Sequence, residues 1–371
     1  MVEYILNSFS GNMSETDKQL IDKEILFEAG NKKLVLSKEI SDEVVQLFDD
    51  VLWGTGDNQY QHKDSRQRLE LLDKPNFVEL LYDDKRAAMC LFINRKVKTG
   101  DLDHNYFAVR YLFAVPEYRD KKLTARYSIE TMRIMQEREK MPTLFVGVVE
   151  HRNRQSYRLV NSLGYEPFCR IKTVGMSRFF PRRNKNVQRV ESPDLKKMVR
   201  RELEEFYRDY SFVHFDSIFK EPYYVYMKNG EPVAGVQVQK ARWVIKNVGG
   251  KWLKLLLKLV PYIPVFKKIF NPKNFVFLGL DGIYYRPGCE WEFLKLVSHL
   301  MKEHDTNSAI YWADQKAPVY KQLHATGKLG ILNRFTDEGD SFMMVKADGI
   351  PEEEVKELKS RPVFHSAFDF L

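Results

Sequence analysis

Apolar and polar positions recur along this chain with periods that predict a succession of strands and helices. Residues 33–36 read as a first strand. Over residues 40–52, Ile40, Val44, Leu47, Phe48 and Val51 fall on one face at helical spacing. Apolar runs at 77–82 and 87–97 flank Asp83-Asp84-Lys85 and predict a hairpin. The run 104–115 reads as a central strand. Its alternation places His104, Tyr106 and Arg110 on one face, opposite Phe107, Val109 and Phe113. That polar face either lines a cleft or is solvated. Pro116 and a charged turn follow, then a long helix, an apolar strand at 144–149, a second helix and a stop at Gly164-Tyr165. A turn at such a strand–helix junction is a place where a helix N-terminus receives an anion.

Around this stretch the pattern is plainer. Residues 1–30 read as an extension with a short helix over 17–27. Trp53-Gly54-Thr55-Gly56-Asp57-Asn58 reads as a Gly-rich loop that stops the first helix, residues 164–178 as two closing strands, and 179–185 as a basic linker. From about residue 187 the order repeats. A helix at 195–210, strands at 223–228 and 232–245 and an insertion precede a strand at 275–280. A helix at 290–304, a strand at 308–313, a helix at 318–325 and closing strands near 331–335 and 341–346 complete it. The expected domains are therefore 31–186 and 187–371, the second carrying an insertion at 246–274.

The order V-P-E-Y-R-x-K-x-L from Val115, followed by N-x-x-S-x-x-L-x-x-x-L-G-Y from Asn153 to Tyr165, resembles the acyl-CoA-binding core of the GNAT N-acetyltransferase superfamily. The resemblance implies an α/β (α+β) fold class. Two tandem GNAT folds would each be a mixed, mostly antiparallel twisted sheet flanked by helices. In that family an R/Q-x-x-G-x-G/A turn offers backbone N–H groups to the pyrophosphate of acetyl-CoA, where successive amides and the helix dipole converge on one anion. By this likeness acetyl-CoA is the acyl donor, held by Phe113, Ala114, Val115, Arg119, Asp120, Lys121, Lys122, Leu123, Thr124, Asn153 and Ser156. Arg119 keeps its family place, but Lys122 and Thr124 stand where the family has small residues. Lys122 either crowds the pyrophosphate or contacts it. The corresponding turn of the second half, Tyr284-Tyr285-Arg286-Pro287-Gly288-Cys289, lacks the pattern, so the second copy is degenerate and no CoA is expected there. With the basic insertion ahead of FVFLGL, the whole order resembles the plant hookless-type N-acetyltransferases.

Acetyl transfer to a primary amine needs a base and a donor for the developing oxyanion. A backbone N–H near Val115 would serve the oxyanion. Glu150, at the end of the 144–149 strand, is the first candidate base, where partial burial would raise its pKa. His104 and Tyr106 are the alternatives. Tyr157 would protonate the leaving thiolate, one turn before the family's usual position, which Val160 occupies. The acceptor is a small-molecule or peptide amine. The alternative function is a degenerate GNAT that binds acyl-CoA, a partner or a membrane surface without turnover.

Composition narrows the setting. The 44% hydrophobic content is that of a globular chain, and no run of eighteen apolar residues points to a membrane span. The acidic N-terminal stretch does not read as a secretory signal, and three scattered cysteines show no metal-ligand spacing, so a cytoplasmic protein without a metal site is expected. The net charge of +8 is local. Nine Lys/Arg and no Asp/Glu lie between residues 232 and 280, leaving the other 322 residues at −1. Within that segment Lys251, Lys254 and Lys258 share one helical face, opposite Leu253, Leu256, Leu257 and Val260. Residues 251–270 are either a contact for an anionic surface or a helix packed on the body; nucleic acid is the less expected partner. The end of the chain, with Val363, Phe364, Phe368 and Phe370, is too apolar for a solvated tail. It either patches the second domain or brings His365 or the Leu371 carboxylate to the acceptor site.

Overall fold

A computed structural model describes residues 23–55, 58–72, 74–115, 117–118, 123–247, 264–336 and 340–370. The chain forms two compact units. The first comprises Met1–Ile40, Lys74–Asn94 and Ala108–Lys140; the second comprises Ser41–Asp73, Arg95–Phe107 and Met141–Leu371.

In the first unit β1 (Lys23–Ala29) pairs antiparallel with β2 (Lys32–Ser37), turning at Gly30 with φ +60°. β2 pairs with β5 (Pro75–Tyr82), and β5 with β6 (Lys85–Thr99), through the hairpin expected at Asp83-Asp84-Lys85. β7 (Leu102–Ala114) comes next in the sheet, and α3 (Leu123–Arg138) follows it. The helix expected over 17–27 is corrected in part. Residues 1–22 lie outside the described residues, but Lys23–Ala29 is a strand. A short apolar run reads either way by periodicity, and here the open edge of β2 decides. Glu24 of β1 also forms a bidentate ion pair with Arg138 of α3, at 2.8 and 3.0 Å.

The second unit opens with α1 (Asp42–Asp50), whose N-cap Ser41 Oγ accepts the Val44 N–H. The Gly-rich stretch expected to be a loop instead carries two strands, β3 (Trp53–Thr55) and β4 (Asn58–Lys63), which pair with each other; Gly56 and Asp57 lie outside the described residues. α2 (Ser65–Leu71) follows. The first part of β7 runs beside β8 (Thr143–Glu150): Asn105 bonds Thr143 and the Phe107 ring meets Phe145 at 5.5 Å, an equal step along both strands that makes the pair parallel. α4 (Arg154–Ser162) and β9 (Glu166–Ser177) complete this succession.

The same succession recurs downstream. β10 (Val187–Arg189), α5 (Pro193–Phe206), β11 (Tyr223–Lys228) and β12 (Glu231–Asn247) lead into β13 (Phe275–Tyr285). α6 (Pro264–Ile269) lies in the insertion between β12 and β13. α7 (Glu290–Glu303) then crosses to β14 (Ser308–Asp314), which runs parallel to β13. α8 (Pro318–Ala325), α9 (Asn333–Thr336), β15 (Asp340–Asp348) and α10 (Glu352–Ser360) follow. β7 and β13 each carry a left-handed residue three before their end, Tyr111 at φ +52° and Gly282 at φ +54°. At Gly282 a Cβ would lie 2.4 Å from Ile218 Cδ1. At Tyr111 the break in the extended backbone ends the strict alternation expected for 104–115.

The two successions exchange strands. The strand order across the middle of this unit is β8-β15-β9-β14-β13. β15, from the second succession, lies antiparallel between β8 and β9 of the first. β9, from the first, lies antiparallel on β14 of the second. This explains why residues 166–177 form one strand rather than the two expected: the first part of β9 serves β15 and the last part serves β14. The strand expected near 331–335 is also corrected. Asn333–Thr336 is a helical turn seated on β9, where Thr336 Oγ1 accepts the Gly175 N–H at 3.0 Å and a Cβ at Gly175 would approach that oxygen to 2.6 Å. The main core of the unit gathers Val199 and Leu203 of α5, Val236 of β12, Leu278 and Leu280 of β13, and Phe293, Leu296 and Leu300 of α7.

The exchange makes the two sequence halves interdependent. Residues 23–186 expressed alone leave β8 and β9 without the strand between them. They are expected to lack a cooperative thermal transition and to regain one, with co-purification, when 187–371 is co-expressed; a sharp melt of the isolated fragment would contradict the pairing.

Candidate active site and comparison with known proteins

The expected acyl-donor residues fall on both units. In the first, Phe113 is buried while Ala114 and Val115 are half-buried at the end of β7. The Val115 N–H donates to Ala87 O at 2.9 Å, and Val115 O accepts the Tyr118 N–H at 2.9 Å. The expectation of an oxyanion donor near Val115 is thereby corrected in one respect: the Val115 amide is already bonded within the sheet. Arg119, Asp120, Lys121 and Lys122 lie outside the described residues. Leu123 and Thr124 open the backbone of α3.

In the second unit Glu150 is the last residue of β8, opposite Ser341 of β15, and its carbonyl accepts the Asn153 N–H at 2.9 Å. Asn153 caps α4, its Oδ1 accepting the Ser156 N–H at 3.0 Å, and its carbonyl accepts the Tyr157 N–H. Glu150, Asn153, Ser156 and Tyr157 therefore form one strand-to-helix junction. α4 buries none of its residues, and Tyr157 lies edge-on to Phe342 of β15 at 6.0 Å.

His104 and Tyr106 are not at this junction. Both are buried, so the solvated face considered for them is excluded. His104 Nε2 meets Glu354 Oε1 of α10 at 2.5 Å. Tyr106 packs edge-on against Phe212 at 5.7 Å, close enough to Arg95 for the two to interact electrostatically.

Arg95 belongs to a buried polar cluster that sequence reasoning missed. Its Nη1 and Nη2 donate to the two Asp369 carboxylate oxygens at 3.2 and 3.1 Å, and Nη1 also donates to His214 Nε2 at 2.8 Å. Burial first, and then the adjacent Arg95 charge, push the His214 imidazole well below its ordinary range. Arg95 and Asp369 line a cleft with Leu71, Ser217, Lys220 and Phe368.

The tail 363–369, entirely buried, is held beside this cleft by two carboxylates. Asp281 of β13 accepts the Ala367 N–H at 2.8 Å and the Ser217 hydroxyl at 3.0 Å. Asp314, at the end of β14, accepts the Val363 N–H at 2.9 Å. β13 and β14 pair only at Leu278–Ala309 and Gly279–Ile310, and beyond that register their carboxylates bond the tail instead. Phe364 packs on Tyr207 at 4.8 Å and belongs to the main core, so the tail does patch this unit. Leu371 lies outside the described residues. In the second turn, Arg286 is engaged by Glu202 and Glu231. The signal for this cluster was present in the sequence, since Arg95 and Asp281 are charged residues inside the apolar runs CLFINRKV and FVFLGLDGIYY. A charge at such a position is buried with a partner or not at all.

No family model matches the sequence, and no curated protein matches it. Solved structures do match. Saccharomyces cerevisiae N-myristoyltransferase with bound myristoyl-CoA and inhibitors aligns at TM-score 0.59 and 10% identity, covering 92% of this chain and 88% of that one. A second structure of that enzyme, with bound myristoyl-CoA, aligns at TM-score 0.57 and 9% identity, covering 92% and 91%. The fold is that of N-myristoyltransferase. A GCN5-related N-acetyltransferase from Sphaerobacter thermophilus aligns more distantly, at TM-score 0.46 and 13% identity over 83% of this chain. The mixed, mostly antiparallel sheet flanked by helices, expected from the sequence, is found, and the N-myristoyltransferase fold accounts for nearly the whole chain rather than for one half. Among the described residues, no group of His, Cys, Asp and Glu is arranged to hold a metal ion.

Two predictions follow from the buried cluster. Asp369→Ala leaves the Arg95 guanidinium buried without its counter-charge and is expected to cost about 3–5 kcal/mol in denaturant unfolding, with Arg95→Met/Asp369→Leu recovering much of the loss. Burial raises the Asp281 carboxyl from 3.8 to about 6, against its hydrogen bonds from Ala367 and Ser217. The folded state therefore binds the extra proton between those values. Asp281 favours folding most at acid pH, and its contribution declines as pH rises through that window, by up to about 3 kcal/mol. The wild-type stability curve minus that of Asp281→Asn should fall between about pH 4 and pH 6; a flat difference would contradict the shift.

Proposed function

We propose that this protein is an acyl-CoA-dependent N-acyltransferase with two tandem GNAT-type halves, as its hookless-type sequence order implies. Acetyl-CoA is the donor, and a small-molecule or peptide primary amine is the acceptor. The observation that carries this reading is the near-complete coverage by a fold whose solved relatives hold an acyl-CoA, combined with the Asn153–Tyr165 motif in the first half. The tail bonded by Asp281 and Asp314 supports donor binding in the first half alone.

The acceptor nitrogen attacks the thioester carbonyl, the C–N bond forms and the C–S bond breaks. Glu150 takes the amine proton, and Tyr157 gives a proton to the leaving thiolate, releasing amide and free CoA thiol. Asn153 and Ser156 contact the donor, with Phe113, Ala114 and Val115 and with the turn Arg119, Asp120, Lys121, Lys122, Leu123 and Thr124. His104 is the weaker alternative base because Glu354 already holds its Nε2. Tyr106 is the other, beside Arg95.

Calorimetry with acetyl-CoA should give one site per chain, and thiol release should appear with a primary amine. Glu150→Gln is expected to lower turnover by about 100-fold or more with donor affinity unchanged. Binding without thiol release from any amine would leave an acyl-CoA-binding protein in which Lys122 marks lost catalysis. A series from acetyl- to myristoyl-CoA tests the donor, since the matched fold holds the longer chain. Failure of every acyl-CoA to bind would overturn the reading.

A further inference from the structure

The basic linker expected at 179–185 is not a loose tether. Asn307 Nδ2 donates to the carbonyls of Arg178 and Phe179, at 2.6 and 3.1 Å. Ser298 Oγ accepts the Arg182 N–H at 3.2 Å, and His299 Nδ1 accepts the Asn184 N–H at 2.8 Å. The linker is therefore fastened along α7. Phe179 packs edge-on against Phe266 of α6, centroids 5.7 Å apart and planes at 90°, which joins it to the basic insertion.

This junction presents an unusual combination to solvent. Phe180 is 79% exposed, more than any other large apolar side chain among the described residues, and Phe179 beside it is 37% exposed. In the linker Arg182, Arg183 and Lys185 are exposed, as are Lys267, Lys268 and Lys273 in the segment that Phe266 joins to it. Neither residues 179–186 nor 264–274 contain an acidic residue. Elsewhere several exposed cations pair with carboxylates, as Arg133 does with Glu130 and Glu137, and Lys356 with Glu352 and Glu353.

We propose that this surface docks on a membrane bearing anionic lipid headgroups. The cations meet the headgroups while Phe180 enters the interfacial layer, the division that interfacial sites use. A nucleic-acid duplex would satisfy the cations alone; an anionic lipid surface takes the cations at its headgroups and the exposed Phe180 ring in its interfacial layer. No described helix is long and apolar enough to cross a membrane. Residues 251–263, which belong to the segment expected from the sequence to reach an anionic surface, lie outside the described residues. Phe180 and the six cations stand without them.

The test is co-sedimentation of the full chain with vesicles of phosphatidylcholine containing a third phosphatidylserine, beside vesicles of phosphatidylcholine alone. Binding is expected to the first and not the second. It should weaken as salt rises, since exposed charges are screened over about 8 Å at physiological ionic strength. Arg182→Ala/Arg183→Ala should weaken it by roughly 25-fold, about fivefold for each charge. Phe180→Ser should weaken it while leaving most of the salt dependence. All three positions are exposed, so melting temperatures should not move and each variant remains a fair test. Absence of binding at low salt, binding indifferent to these substitutions, or retention on single-stranded RNA without vesicle binding would each overturn the proposal.

Discussion

The middle of the second unit depends on one constraint: neither succession of strands supplies all its own hydrogen-bond partners. A strand with an unpaired edge leaves a row of N–H and C=O groups that must find protein or water. Here β8 and β9 of the first succession are separated by β15 of the second, while β14 of the second is bordered by β9 of the first. Each ladder therefore closes only when residues more than a hundred positions apart meet. The length of β9, the helical turn at Asn333–Thr336 and the glycine at 175 all follow, since one strand must serve two partners with a helix seated on its last part.

The exchange also bears on the second parallel pair. β13 and β14 hold each other over two residue pairs and then present buried carboxylates, Asp281 and Asp314, to the backbone of the chain's last described segment. Burying a carboxylate is costly unless it is bonded, and backbone N–H groups supply those bonds. Arg95 and Asp369 neutralise each other in the same region, and burial holds the His214 imidazole beside them well below its ordinary range. The result is a polar interior in which one ion pair, Arg95–Asp369, lies beside two carboxylates bonded by neutral donors, and the tail packs into the core through Phe364. Both carboxylates that bond the tail belong to the second succession.

Much of this was legible in the chain because the signals are local. The helices at Asp42–Asp50, Pro193–Phe206, Glu290–Glu303 and Pro318–Ala325 follow from the recurrence of apolar positions along the chain. The hairpin at Asp83-Asp84-Lys85 follows from two apolar runs around a turn. The strand-to-helix junction holding Glu150, Asn153 and Tyr157 was readable for the same reason, since the strand, the helix and the N-x-x-S-x-x-L spacing lie within a few residues of one another.

What the chain could not show was anything requiring a distant partner. Lys23–Ala29 became a strand because β2 had a free edge, and Gly54 lies in a strand because β4 pairs with β3 on one side and β12 on the other. His104 and Tyr106 share a face as alternation requires, yet Glu354 and Phe212, far along the chain, decide what each one touches. Arg95 and Asp369 are 274 residues apart, and although Arg95 stands out as a charge inside an apolar run, only folding shows that Asp369 is its partner. The sequence by itself determined most of the elements and the first-half motif, because periodicity acts within a few residues. Only the tertiary structure decided the strand exchange and the buried charge pairs, because desolvation and edge pairing depend on which distant residues come together.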